Sequence, residues 1–122
     1  MPHIVFDKKL DLVLFSNRFH GVILKEPFLI KLLDVFLDRE KRTALIPTIV
    51  IDQIHQHFLI EVSTRKDKTT IRLLPVTDPK KTDGVKMSLA MVGKIIQENN
   101  PQYNITKTNL QDFLFQKTES IV

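Results

Sequence analysis

Apolar residues fall along this chain in short runs whose spacing changes several times. Residues 10–16 ("LDLVLFS") and 21–25 ("GVILK") are short and rich in β-formers, and "NRFH" between them is a turn-like break. The pair reads as a hairpin. Residues 3–6 read as a further strand or a frayed end. From 27 to 40, Leu29, Leu32, Leu33, Phe36 and Leu37 recur at the spacing of one helix face, with Lys31, Asp34 and Asp38 off it. Pro27 suits a first helical position, where its missing N–H would be unpaired anyway. Ile30 and Val35 widen the apolar stripe, so the predicted helix needs cover on more than one side. Residues 43–52 ("TALIPTIVID") are apolar and β-branched. Pro47 cannot donate to a ladder, which predicts an edge strand or a bulged one.

The stretch 57–75, "HFLIEVSTRKDKTTIRLLP", predicts its own register. A turn on Arg65-Lys66-Asp67-Lys68 places Thr64 opposite Thr69. Val62 then meets Ile71, Ile60 meets Leu73 and Phe58 meets Pro75 on one face. Glu61 meets Arg72 on the other, flanked by Ser63–Thr70 and Leu59–Leu74. A slip of one residue would scatter the apolar set over both faces, so the register is well specified. A four-residue loop on a type I turn would close it. Residues 83–99 read as a helix with Val85, Leu89, Val92 and Ile96 on its buried stripe, ended by Pro101. Gly93 in its interior costs about 1 kcal/mol against alanine unless something packs closely there. Thr108-Asn109-Leu110-Gln111 is a capping-box pattern before a short C-terminal helix, and residues 117–122 are expected to be a loose tail.

The order ββ–α–βββ–α–α does not alternate strictly, which argues against a doubly wound parallel sheet. The expected fold is one α+β domain spanning residues 1–122. It has an antiparallel or mixed sheet of about five strands, with two longer helices and a short C-terminal one on one face. A chain of 122 residues suits a single domain and hides roughly two thirds of its extended-chain surface. It therefore needs no disulfide or metal staple.

Cysteine is absent, which excludes disulfides, thiolate metal sites and cysteine nucleophiles. The first residues lack a leader layout, and no uncharged apolar stretch approaches the ~18 residues of a membrane helix. The expected location is the cytoplasm, with no membrane partner. Asn104-Ile105-Thr106 matches a glycosylation acceptor and, without a secretory signal, is read as chance.

Little in the chain points to catalysis. There is no nucleophile elbow, phosphate loop or dinucleotide turn, and Gly21, Gly84 and Gly93 are too scattered to cradle a phosphate. Asp34 and Asp38 read as solvated carboxylates. In "IHQHF", His55 and His57 point to one side of a strand, as does Glu61. Two imidazoles and a carboxylate suit a divalent metal. Glu61, however, has a better partner in Arg72, and a third ligand would have to arrive in space from His3 or His20. No cofactor or metal is assigned, and His55 and His57 are the first candidates should one bind.

Charge placement is more informative. Residues 65–86 hold seven cations and three carboxylates, while the rest of the chain carries eleven of each sign. A local positive excess attracts a polyanion, and a protruding basic hairpin can lie along a phosphate backbone. The favoured expectation is a non-enzymatic binding or regulatory module for an anionic partner, nucleic-acid backbone first. Its contacts would be Arg65, Lys66, Lys68, Arg72, Lys80 and Lys81, and they would position a backbone without reading sequence. Lysines at turns also serve simply to discourage sheet pairing. Phe19, beside Arg18, could stack on a base or fold back onto the core. The alternatives are a protein-interaction domain, most simply a homodimer, and a small histidine- or metal-dependent enzyme.

Overall fold

The computed structural model describes residues 1–114; the expected loose tail lies outside them. The elements in chain order are β1 (His3–Phe6), α1 (Leu12–Arg18), β2 (Val22–Leu24), β3 (Leu29–Leu32), β4 (Phe36–Leu37), β5 (Thr43–Ile51), β6 (His55–Arg65), β7 (Lys68–Leu73), α2 (Asp83–Asn99), β8 (Ile105–Thr108) and α3 (Gln111–Leu114). Every strand pairing is antiparallel, in the order β2-β3-β5-β6-β7-β1-β8, and β4 joins β5 off that path. The architecture is α+β as the pattern predicts, but the described residues form an eight-stranded sheet in place of about five strands. None of their helices is long and apolar enough to cross a membrane.

Alternation along the central strands builds the core. Ala44, Ile46, Thr48 and Val50 of β5, Phe58, Ile60, Val62 and Thr64 of β6, and Thr69, Ile71 and Leu73 of β7 are all buried. They share one face, the period-two consequence of pleated strands. Helix α2 lies against this face and buries Val85, Leu89, Val92 and Ile96, the predicted stripe. A Cβ built on Gly93 would stand 2.7 Å from Ile4 Cδ1, and one on Gly84 2.7 Å from Val50 Cγ1. Both glycines are therefore places where helix and sheet approach closely, a Cβ at Gly93 meeting the flexible end of Ile4 and one at Gly84 meeting both Val50 and the Asp52 carboxylate.

The predicted hairpin register holds from Thr64–Thr69 through Ile60–Leu73, including Glu61–Arg72. Leu74 N–H donates to Leu59 O at 2.9 Å, and Pro75 lies beyond the paired ladder. The turn is tighter than expected. Arg65 pairs with Lys68, leaving two residues, Lys66 and Asp67, at the tip. Only Lys66 of the two has a positive φ, 57°, the sign pattern of a II′ turn, which matches strand twist better than a type I turn does.

Three expectations are corrected. Residues 27–40 are not a helix but β3 and β4. Ile30 and Leu32 are buried while Leu29 and Lys31 face the other way, so apolar residues on both faces of a strand imitated a helical stripe. Asp34 interrupts the run, its carboxylate accepting from Val35 N–H at 2.7 Å. Residues 10–16 are mostly helical. Asp11 caps α1 by accepting from Leu14 N–H at 3.1 Å, and Leu12 and Phe15 face inward. The true hairpin partner of residues 22–24 is therefore β3. Finally, β5 is not an edge strand, since it lies between β3 and β6. Its outer partner is split: β3 pairs Thr48–Ile51 and β4 pairs Ala44–Leu45. The Pro47 carbonyl accepts from Leu33 N–H at 3.0 Å in that gap, so the missing Pro47 N–H points to a place where no ladder bond is required.

β8 was not anticipated; it flanks β1. The predicted short C-terminal helix is present as α3, but the reciprocal capping box is not, because α3 starts only at Gln111 and Thr108 ends β8. Thr108 Oγ1 accepts from Leu110 N–H at 3.0 Å, and the Gln111 amide returns to Thr108 O at 2.8 Å.

At the other end of β5, Asp52 joins sheet to helix. Its carboxylate accepts from Gly84 N–H in the first turn of α2 at 3.1 Å and from Gln53 N–H at 2.7 Å. Desolvation pushes this carboxyl up, but hydrogen bonds from Thr82 and from the Gln53, Ile54 and Gly84 backbones outweigh it and hold the group below its ordinary value. A depressed folded-state value means the ionised form stabilises the fold above the unfolded value of about 4, and this contribution is lost as pH falls below it. Asp52→Asn is expected to cost about 1 kcal/mol at pH 7. In urea titrations the gap between wild type and variant should close as pH drops below about 4. A gap independent of pH would mean the charge contributes nothing.

Candidate functional site

The Thr64–Thr69 pair, one rung below the closing Arg65–Lys68 pair, holds three loops together. Both side chains are buried. Thr69 Oγ1 accepts from Leu10 N–H at 2.9 Å and donates to Lys8 O at 2.8 Å. Thr64 donates to Arg42 O from its backbone N–H at 2.9 Å and from its hydroxyl at 3.2 Å. The loop before α1 and the turn between β4 and β5 are thus fastened to the tip of the β6–β7 hairpin.

The first loop is also tied to the segment before β8, and the β4–β5 turn is fixed internally. Lys9 O accepts from the Tyr103 hydroxyl at 3.1 Å. Asp7 receives Asn104 N–H at 2.9 Å and the Asn104 side-chain amide at 3.2 Å. The backbone bond from Asn104 is the main influence holding the Asp7 carboxyl below its ordinary value, with desolvation opposing it. In the β4–β5 turn one Asp38 oxygen accepts from Arg42 N–H at 2.9 Å and Thr43 N–H at 3.1 Å, and Lys41 adopts φ 60°. Backbone carbonyls of Lys8, Lys9 and Arg42 point inward to these partners, while the three residues as wholes are exposed.

The charge follows from this placement. Residues 7–11, 38–42 and 65–68 together hold eight cations against five carboxylates, three of the four excess positive charges of the chain. Two ion pairs form among the described residues, Arg72 with Glu61 and Lys81 with Asp78, each at 2.5 Å, and both lie outside these loops.

The six sequence-predicted contacts do not converge. Arg65, Lys66 and Lys68 are exposed at the tip. Arg72 is engaged by Glu61. Lys80 is held at the far end of β6: its N–H donates to Gln56 Oε1 at 2.8 Å, and Gln56 returns to Lys80 O at 3.2 Å. Gln56 precedes Arg65 by nine residues, about 30 Å along a strand, and Lys81 follows Lys80. Charge counting along the chain therefore joined two clusters that the sheet separates. It missed Lys8, Lys9, Lys41 and Arg42. The local signals were "KK" and "REKR", each masked by carboxylates in the same window.

Other candidates are resolved similarly. Phe19 packs edge-on to Phe15 with ring centroids 5.9 Å apart, folded back as the second expectation had it. His55 and His57 are adjacent, but among the described residues no group of three metal-ligating side chains forms, so His3, His20 and Glu61 do not complete a set with them. No protein-family model, curated protein or solved structure matches the chain.

Proposed function

We propose that the chain is a non-enzymatic module that binds a polyanion, nucleic-acid backbone first, at the end of the sheet where the three loops meet. The observation that carries this reading is the fastening of two cation-bearing loops to the basic hairpin tip by Thr64 and Thr69. Cations on fixed backbones lose less freedom on meeting a phosphate chain than the same cations on a free tail. Arg65, Lys66 and Lys68 make the first contacts, with Lys8, Lys9, Lys41 and Arg42 extending them. Arg72, Lys80 and Lys81 are left out, the first and last because they are paired and Lys80 because of distance. Contacts of this kind position a backbone and read no bases.

The test is fluorescence anisotropy with a short labelled duplex and a single strand at low salt. Reversing Arg65, Lys66 and Lys68 to glutamate should weaken binding by at least ~100-fold and flatten the duplex salt slope by roughly 2 to 3. Lys8→Glu with Lys9→Glu should weaken it as well, and Lys80→Glu with Lys81→Glu should not. Equal weakening by all three sets would reduce the effect to net charge.

A second reading, a protein-interaction surface met by a second copy, is favoured by β5. Leu45, Pro47, Ile49 and Ile51 line the face turned away from α2, joined there by Leu59 of β6 and Phe36 of β4. A strand apolar on both faces usually has both covered. Sedimentation of the wild-type chain over a concentration series decides whether it self-associates.

A further inference from the structure

On the face turned away from α2, β6 carries a second chemical feature that the anion-binding reading does not use. His55 and His57 project from alternate positions of the strand, both exposed. Their Nε2 atoms are 2.8 Å apart, and the ring centroids are 4.6 Å apart with 36° between the planes. We propose that this pair is a chelating site for a divalent transition-metal ion of the Cu(II) or Ni(II) kind.

The separation lies near the bite of one class of ion. Imidazole nitrogens bond such ions at about 2.0–2.1 Å, so two nitrogens 2.8 Å apart subtend about 90° at a shared ion. That is the angle between neighbouring positions of a square-planar or octahedral ion. A tetrahedral zinc site would need the nitrogens about 3.3 Å apart. Cu(II) and Ni(II) prefer tetragonal geometry and nitrogen donors, and copper stands above both nickel and zinc in intrinsic affinity. The strand supplies two neutral nitrogens and no carboxylate, since Glu61 on the same face is held by Arg72. Magnesium and calcium, which require oxygen, are therefore excluded.

Without metal, one Nε2–H donates to the other Nε2. On binding, that proton moves to the Nδ1 of its own ring and both Nε2 lone pairs face the ion. Water occupies the remaining positions. The strand spacing holds both rings on one side, so the second bond forms at little added entropic cost, the source of the chelate gain.

The experiment is calorimetric titration of the full chain with CuCl2, NiCl2, ZnCl2 and MgCl2, with electron paramagnetic resonance of the copper form. One ion per chain is expected, in the order copper, nickel, zinc, with no magnesium binding and with hyperfine splitting from two nitrogens. His55→Ala and His57→Ala should each lower copper affinity at least tenfold, while His3→Ala should leave it unchanged. Circular dichroism verifies that the variants are folded, which the exposure of both residues favours. Splitting from one nitrogen, or His55→Ala and His57→Ala variants that bind copper as tightly as wild type, would overturn the site.

Discussion

Replacing Gly93 by leucine is expected to cost at least ~3 kcal/mol of stability, at or beyond the upper end of what overpacking a core usually costs. The position lies on the buried side of α2, where the helix meets β1 and β7. A Cβ there would already sit 2.7 Å from Ile4 Cδ1, 3.4 Å from Leu114 Cδ2 and 3.8 Å from Ile71 Cδ1. Leucine adds three further carbons with no room between helix and sheet, so α2 must lift or the Ile4 and Ile71 side chains must leave their wells. Interiors are packed like crystals, and such a change propagates along the interface. Gly93→Ala behaves differently. Its nearest obstacle is the far end of a flexible isoleucine, and alanine gains about 1 kcal/mol of helix propensity. The alanine variant should stay within ~1 kcal/mol of wild type, and the leucine variant should be the one that fails. Chemical denaturation of the three proteins checks this, and a leucine variant as stable as wild type would contradict the docking of α2.

That glycine shows what local pattern conveys and where it stops. A glycine inside an apolar helical stripe announces a close approach, but the partner, Ile4, is 89 positions away and nothing near Gly93 names it. The β6–β7 register was legible because three constraints agreed: the apolar set, the Glu61–Arg72 pair and the polar tip. In residues 27–40 the constraints conflicted. Leu29, Leu32, Leu33, Phe36 and Leu37 fit a helix face, and all of them but Leu33 fit two short strands if both sheet faces are apolar, which only the neighbours of β5 decide. α1 had a readable cap in Asp11, outweighed by the β-forming run that follows it. Of the proposed binding end, the hairpin tip was legible because its cations are contiguous. The other two loops were not, because Asp7 and Asp11 balance Lys8 and Lys9, and because the hydrogen bonds that bring the loops to the tip span 22 and about 60 positions.

Thr69→Val should uncouple charge from its placement. Valine keeps the shape and the β-branched preference of threonine, so packing around the rung hardly changes. What disappears is the hydroxyl that accepts from Leu10 N–H and donates to Lys8 O. Leu10 is buried, so its N–H loses its partner where water does not easily replace it. Such a loss costs ~1–3 kcal/mol, and with the second bond the total should reach roughly 2–3 kcal/mol, a fall of about 10 °C in Tm for a domain of this size. The loop carrying Lys8 and Lys9 is then no longer fastened to the hairpin. Net charge is untouched, yet under the proposed function duplex affinity should drop severalfold, because cations on a loosened loop must be ordered again on binding. Thr69→Ser restores the hydroxyl and should recover most of both losses. Two readouts separate the claims. Loss of stability without loss of affinity would leave the threonine as a structural clamp and remove the first loop from the binding surface. Unchanged stability would remove the clamp itself.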